Sequence, residues 1–372
     1  MGIYVHVPFC RSKCFYCGFY SVASDRLKEA FIRALCAEVD LRRDYMGTLG
    51  VETLYFGGGT PSCLSLSELQ ILTEKLENVY CISPFAERTI EVNPEDLNAE
   101  KLEGWRRLGF NRLSIGVQSF QDDLLKGINR QHTSRQVLEG IEMAQHLGFD
   151  NISIDLIIGL PGQSPEILHQ DLMQALGLSV DHISVYMLSV DAGSVLEKRY
   201  QKGLFCPLSE DELADRYDVV VQLLKEAGYE HYEISNFARN GKYSTHNTSY
   251  WQQKPYIGFG PSAHSYDLAS RQWNVSNLKT YIESLNNKEL NFEREELSCV
   301  DYYNEYVMTR LRTMWGIKGK DLREKFGFCW DHFIGQMRRN VERGWAVEGR
   351  DLFCLTESGW LVSDKIFSEL FL

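Results

Sequence analysis

The chain has 372 residues, 44% of them hydrophobic, and its 39 basic against 51 acidic side chains leave a formal net charge of -12. That balance speaks against a nucleic-acid surface, which works by neutralising phosphates, and against broad attachment to anionic lipid. The first ten residues lack the basic and long apolar stretches of a secretory signal, and no run of about 18 apolar residues reads as a membrane span, so a cytoplasmic protein is expected.

The length allows a large core and suits one barrel, commonly about 250 residues, with a smaller appendage. Gly2 to Val7 reads as a short buried strand leading into Pro8-Phe9-Cys10-Arg11-Ser12-Lys13-Cys14-Phe15-Tyr16-Cys17, with the spacing C-x3-C-x2-C. Three thiolates so close together can hold three corners of a cubane 4Fe-4S cluster, since cysteine is the soft ligand such clusters select. One iron then stays open to chelate a small molecule through an amine and a carboxylate, as the amino-acid end of S-adenosylmethionine could. Zinc is the alternative, but it usually takes four ligands, often in C-x2-C pairs, and His6 is the nearest imidazole. Cys36, Cys63, Cys81, Cys206, Cys299, Cys329 and Cys354 are scattered and are expected to be small buried hydrophobes.

Apolar residues at helical spacing predict a helix over Ser24 to Arg43, capped by Ser24 or Asp25. Strand-like runs Thr53 to Phe56, Thr89 to Val92, Arg112 to Val117, Ile152 to Ile158 and His182 to Tyr186 then alternate with helix-like runs near Ser67 to Asn78, Asn98 to Leu108, Ser134 to Leu147, Ser164 to Leu176 and Ser209 to Ala227. This is the pattern of parallel βα units, and six of them would curve into a partial (βα)6 TIM-like barrel. Reactive groups in such folds sit at the carboxyl ends of the strands. There the chain carries Gly57-Gly58-Gly59-Thr60-Pro61, then Glu91-Val92-Asn93-Pro94-Glu95, Gln118-Ser119-Phe120, and Asp155 with Gly159-Leu160-Pro161-Gly162. Jointly these place polar groups and open backbone around one pocket mouth.

After Tyr229 the composition turns aromatic and histidine-rich, through His246-Asn247-Thr248-Ser249-Tyr250-Trp251 to Tyr256-Ile257-Gly258-Phe259-Gly260-Pro261-Ser262-Ala263-His264-Ser265. Gly258-Phe259-Gly260 is no dinucleotide loop, because it does not follow a strand and open a helix as G-x-G-x-x-G. The stretch could line a flat hydrophobic ligand site with an axial nitrogen for haem iron, or pack as an aromatic interface. Helical patterns follow over Cys299 to Met314, Lys318 to Phe326 and Trp330 to Arg343. Short strands Trp345 to Glu348 and Leu352 to Leu355 then form a hairpin before a last helix from Thr356. The sequence thus divides into a barrel over 1–235, an aromatic connecting region over 236–290, and a mainly helical, winged-helix-like C-terminal domain over 291–372.

Taken together, these motifs resemble the oxygen-independent coproporphyrinogen III oxidase family of radical S-adenosylmethionine proteins over essentially the whole chain. Within it they are most similar to the branch of HemW-type haem chaperones. The oxidase branch carries a fourth cysteine two residues beyond the third, where this chain has Phe19, and an N-terminal extension before the cluster loop. His246-Asn247-x-x-Tyr250-Trp251 resembles a motif of the chaperone branch. By this resemblance Cys10, Cys14 and Cys17 are the cluster ligands, and Tyr4, Tyr16, Gly58, Gly59, Thr60, Glu91, Gln118, Arg130 and Asp155 contact S-adenosylmethionine. His246, Tyr250 and Trp251 mark a possible haem region, with His246 either an axial ligand or a hydrogen-bonding interface residue. Haem is then cargo for respiratory acceptor proteins, an electron donor serves the cluster, and no catalytic residue is assigned. The other function the family implies is radical decarboxylation of coproporphyrinogen III to protoporphyrinogen IX.

Overall fold

The computed structural model describes residues 1–47 and 49–372. β1 (Gly2–Val7) is buried along nearly its whole length, as a central parallel strand must be. It is followed by α1 (Lys28–Leu41), β2 (Val51–Gly58), α2 (Leu66–Val79), β3 (Ile82–Val92), α3 (Ala99–Arg107), β4 (Arg112–Gln118), α4 (Asp122–Gly127), α5 (Ser134–His146), β5 (Ile152–Ile158), α6 (Pro165–Gly177), β6 (His182–Met187), α7 (Val195–Gln201) and α8 (Glu210–Glu226). β1 to β6 pair in parallel in sequence order, the expected partial barrel. Capping boxes start α2 at Ser65 and Glu68, α5 at Thr133 and Gln136, and α8 at Ser209 and Glu212.

α1 begins four residues later than the sequence predicts, with Leu27 at its N-cap and no side-chain cap. The chain before it is used otherwise: the Val22 N–H donates to the Pro8 carbonyl at 2.7 Å and the Cys10 N–H to the Val22 carbonyl at 3.1 Å, closing the neck of the cysteine loop.

The sheet continues past the barrel on both edges. β7 (Glu230–Glu233) and β8 (Asn236–Ala238) add antiparallel beyond β6. After α9 (Thr245–Trp251), β9 (Tyr256–Phe259) lies parallel to β1, and β10 (His264–Tyr266), β11 (Ser270–Asn274) and, after α10 (Leu278–Asn286), β12 (Phe292–Glu296) extend that edge antiparallel. The stretch 236–290, expected to connect two units, therefore carries four strands of this one twelve-stranded sheet. A second core, with Tyr303, Phe333, Phe353 and Ile366, is built by α11 (Cys299–Leu311), β13 (Ile317–Lys318), α12 (Gly319–Phe326), α13 (Trp330–Glu342), β14 (Ala346–Glu348), β15 (Leu352–Leu355), α14 (Glu357–Leu361) and α15 (Ser363–Leu370). The hairpin gains a third strand, in the order β13-β15-β14. α11 stops short of the predicted Met314 because the next residues pair with the barrel edge: the Ile234 N–H donates to Arg312 and the Met314 N–H to Tyr232.

The scattered cysteines are not uniformly buried. Cys329 is, Cys36, Cys63 and Cys354 are half-buried, but Cys81, Cys206 and Cys299 are exposed. Cys81 and Cys206 lie in connections and Cys299 opens a helix, places that face water whatever the side chain.

A charged pair ties the added strands to the barrel. Glu38 on α1 and Arg42, the residue that caps its C-terminus, lie 3.1 Å apart with side chains 1% and 2% exposed. Glu38 also accepts from the Gly260 N–H at 2.9 Å, Asn274 Nδ2 at 2.7 Å and the Tyr281 hydroxyl at 2.6 Å. Arg42 donates to the Gly258 carbonyl at 2.7 Å and Ser265 Oγ at 2.8 Å. Removing one member strands the other charge in the interior, so Glu38→Ala should cost about 3–5 kcal/mol. A clear fall in the urea midpoint is expected, and an unchanged midpoint would show that the pair does not hold these strands.

Candidate cofactor site and a neighbouring aromatic cavity

Cys10, Cys14 and Cys17 sit on one loop whose ends are pinned to Val22 and whose middle is anchored from outside. The Phe15 N–H donates to the Ile128 carbonyl at 3.1 Å, Asn129 Nδ2 to the Lys13 carbonyl at 2.9 Å, and the Leu196 N–H to the Phe15 carbonyl at 2.8 Å. All three thiols are free, half-buried, and line one cavity of about 440 Å³. Among the described residues no three His, Cys, Asp or Glu side chains converge as a single metal ion would need. The thiols instead ring a space, and a multinuclear cluster sets its cysteines further apart than one ion does. Donors already face the sulfurs: Thr60 Oγ1 lies 3.5 Å from Cys10 and Arg130 Nη1 3.7 Å from Cys14. Burial pushes the Cys10 and Cys17 thiols up in the absence of a metal.

Of the nine residues matched to S-adenosylmethionine contacts, eight line this cavity: Tyr16, Gly58, Gly59, Thr60, Glu91, Gln118, Arg130 and Asp155. Gly58, Glu91 and Gln118 stand at or next to strand ends, Tyr16, Gly59 and Thr60 in the connections after β1 and β2, Arg130 in the turn between α4 and α5, and Asp155 in the middle of β5. Gly59 is required by close approach, because a Cβ there would stand 2.7 Å from the carbonyls of both Val7 and Phe9. Its N–H donates to Val7, and that of Thr60 to Phe9, so the glycine run is laced to the root of the cysteine loop. Gln118 holds a left-handed backbone, φ +68°, at a bulge between β4 and β5, a strained conformation for a non-glycine residue and one that concentrates at functional sites. Arg130 is half-buried, donates to the Gly116 carbonyl, and keeps a buried Nε with no partner. A buried donor without an acceptor fits a ligand carboxylate.

Two carboxyls lie deep in the same cavity. The Tyr55 hydroxyl donates to Glu91 Oε1 at 2.8 Å and the Gly58 N–H to Oε2 at 3.1 Å. Burial nevertheless pushes Glu91 up to about 7, with the charge of Asp155 adding to the effect. Asp155 is pushed up to about 6 by burial, against Ser184, Arg112 and Arg130. Tyr55 and Tyr186 were missed in the sequence. The signal available was alternation: Tyr55, Glu91, Ser114, Ser153, Asp155, Ser184 and Tyr186 are polar positions inside otherwise apolar strands, and all line the barrel interior.

Tyr4 lies elsewhere, in a second cavity of about 490 Å³ that also takes in His6, Tyr250, Trp251, Tyr256, Tyr266 and His264. Phe19, 69% exposed, lines both cavities. Tyr250 and Trp251 are thus where a flat aromatic ligand could meet them, but His246 is not. Its Nδ1 lies 2.8 Å from Thr53 Oγ1 and its Nε2 2.7 Å from the Tyr250 hydroxyl, its ring is buried against Tyr55, and burial holds it down at about 3. With both nitrogens engaged, His246 takes the hydrogen-bonding role of the two that its sequence allowed.

The raised carboxyl has a measurable sign. Unfolded, Glu91 titrates near 4.5, and folded at about 7, so between those values the folded chain holds a proton that the unfolded chain has lost. Its contribution to stability therefore falls as pH rises through that window. Buried histidines such as His132 and His246, both held at about 3, act in the opposite direction, so the comparison must be with a variant. Glu91→Gln, which keeps an acceptor for Tyr55, should gain Tm relative to wild type in the ligand-free protein as pH goes from about 5 to about 8. A Tm difference independent of pH would contradict the raised carboxyl.

The family follows from comparison with known proteins. The model of the Radical SAM superfamily matches residues 4–174. The chain is 36% identical over 98% of its length to the heme chaperone HemW of Bacillus subtilis, 97% of which is covered. It is 31% identical over 100% of its length to the heme chaperone HemW of Escherichia coli K12, with 98% of that protein covered. In fold it resembles the solved Escherichia coli coproporphyrinogen III oxidase HemN, described as a radical SAM enzyme, with a TM-score of 0.87 at 23% identity, covering 100% of this chain and 89% of that one. On these matches the chain belongs to the family whose members carry the name heme chaperone HemW, and residues 4–174 of it form the part that matches the Radical SAM superfamily.

Proposed function

We propose that this protein is a haem carrier that binds haem and hands it to acceptor haem proteins, respiratory ones among them, in the cytoplasm. The observation that carries the reading is the aromatic cavity beside the three-cysteine cavity, with Phe19 as their common wall. In the resemblance drawn above, that position is the fourth cysteine of the oxidase branch. Among the described residues no helix is long and apolar enough to cross a membrane.

In this reading Cys10, Cys14 and Cys17 hold a 4Fe-4S cluster as thiolates, and S-adenosylmethionine fills the rest of the cavity. The cluster supplies an open iron and, with an electron donor, a one-electron reductant. Arg130 pairs with the ligand's carboxylate, as its unpartnered buried Nε supports. Glu91 accepts from the amine or a hydroxyl and Asp155 from the ribose hydroxyls, while Gly58 and Gly59 leave room for the methionyl part. Thr60 and Arg130 donate toward ligand sulfurs, the kind of outer contact that tunes such a centre.

Anaerobically reconstituted wild type should carry one four-iron cluster, and Cys14→Ala should lose it, read as iron and sulfide content and the loss of brown colour. A fully clustered Cys14→Ala protein would remove that loop from the assignment. The function is tested by titrating the reconstituted protein with haem and following transfer to an apo-acceptor. Binding and transfer are expected, with no protoporphyrinogen formed from coproporphyrinogen III in the presence of reductant and S-adenosylmethionine. Many turnovers of the porphyrinogen would overturn the carrier reading in favour of an oxidase.

A further inference from the structure

With His246 sealed, the aromatic cavity needs another source of an iron ligand if it receives haem. Two histidines line it, His6 and His264. His6 Nε2 lies 3.0 Å from the Tyr20 carbonyl and Nδ1 3.1 Å from the Tyr4 hydroxyl, so both of its nitrogens are engaged. His264 is exposed to the cavity and, among the described residues, neither of its ring nitrogens has a hydrogen-bond partner.

The placement of His264 is rigid although its ring is open. It opens β10, where it pairs with Trp273 of β11 across the antiparallel ladder, and the two rings stack at 5.9 Å with 27° between their planes. Behind it, the backbone is packed so closely that a Cβ on Gly258 would stand 2.2 Å from the His264 carbonyl. The next residue, Ser265, accepts from Arg42 and from the Gly258 N–H at 2.9 Å, which binds the strand to the buried pair at the end of α1. A ligand side chain held from behind and open in front is what metal binding requires.

The rest of the cavity matches the other parts of a metalloporphyrin. Tyr4, Tyr250, Trp251, Tyr256 and Tyr266 offer ring surface for a flat apolar body. Two cations, Lys254 and Arg271, and one carboxylate, Glu305, line the same cavity in a chain of net charge -12. Lys254 is shared with Glu52 at 3.0 Å and Arg271 with Glu305 at 2.9 Å, and Arg271 Nε has no partner. An apolar slot with two cations suits a macrocycle bearing two carboxylates.

Resting on the haem reading above, we propose that His264 is the protein ligand to haem iron and that Arg271 and Lys254 receive the propionates. The test uses the full-length protein with three probes: ferric haem, metal-free protoporphyrin IX, and imidazole. Wild type should give the absorption spectrum of an imidazole-ligated haem. His264→Ala should lose that spectrum and bind haem about tenfold or more weakly. Added imidazole should restore the spectrum, and the affinity for metal-free protoporphyrin should stay within about twofold, because the slot is intact. Arg271→Ala should instead weaken both porphyrins alike. Should His264→Ala fail to fold, His264→Met serves: it should replace the imidazole spectrum with that of a thioether ligand. Wild type that binds no haem would overturn the functional reading itself. Wild type that binds haem while His264→Ala or His264→Met leaves spectrum and affinity unchanged would overturn only the ligand assignment.

Discussion

The buried Glu38–Arg42 pair is the interaction on which the second half of the molecule depends. Taking two charges out of water is costly, and the cost is offset only where nearly every lone pair and N–H finds a partner. Here the partners come from two stretches of chain more than 200 residues apart: the end of α1, and the run that holds the β9–β10 hairpin, β11 and α10. The Arg42 guanidinium also packs over the ring of Tyr45, 4.6 Å from its centroid. Strands β9 to β11 therefore cannot leave the barrel without exposing an unpaired ion to an apolar core. The wall that carries Tyr256, His264 and Tyr266 is held at a fixed place beside β1.

That placement sets two cavities back to back. β1 and the cysteine loop form the partition: Tyr4 and His6 face the aromatic side, while Gly58, whose Cβ position would meet the His6 ring at 2.4 Å, faces the thiols. The loop residues Gly18, Phe19 and Ser21 line the thiol cavity, and Phe19 and Tyr20 the aromatic one. Any ligand that orders the cysteine loop thus also sets the position of an aromatic side chain in the neighbouring cavity. The two sites share covalent structure, the most direct route by which one can bias the other.

Much of the barrel and its cavity was legible because both are written in local pattern. Alternating strands and amphipathic helices announce βα units, the polar groups after the strands point to a shared pocket mouth, and eight of the nine contacts that the family resemblance implies line the cavity. Tyr4 is the exception, since alternation along a strand says that its side chain leaves the sheet on one face but not which neighbour covers that face. The apolar stripe of α1, Phe31, Ala34 and Leu35, runs on to Glu38 and Arg42 one and two turns later. Charges on a buried stripe are the available sign of a buried ion pair. His246 misleads for a related reason. Composition identifies an aromatic, histidine-rich surface, whereas the availability of an imidazole depends on whether Thr53 and Tyr250, 193 positions before and four after, occupy its nitrogens.

By itself the sequence determined the cysteine spacing, the order of the βα units and the polar residues at strand ends, because each depends on neighbours within a turn or a strand. Only the tertiary structure decided that 236–290 joins the barrel's sheet, that Cys81, Cys206 and Cys299 face outward, that Phe19 divides two cavities and that His264 is open where His246 is closed. These are questions of which hydrogen-bonding groups and surfaces remain after distant segments have met, and their answer lies in contacts across the chain.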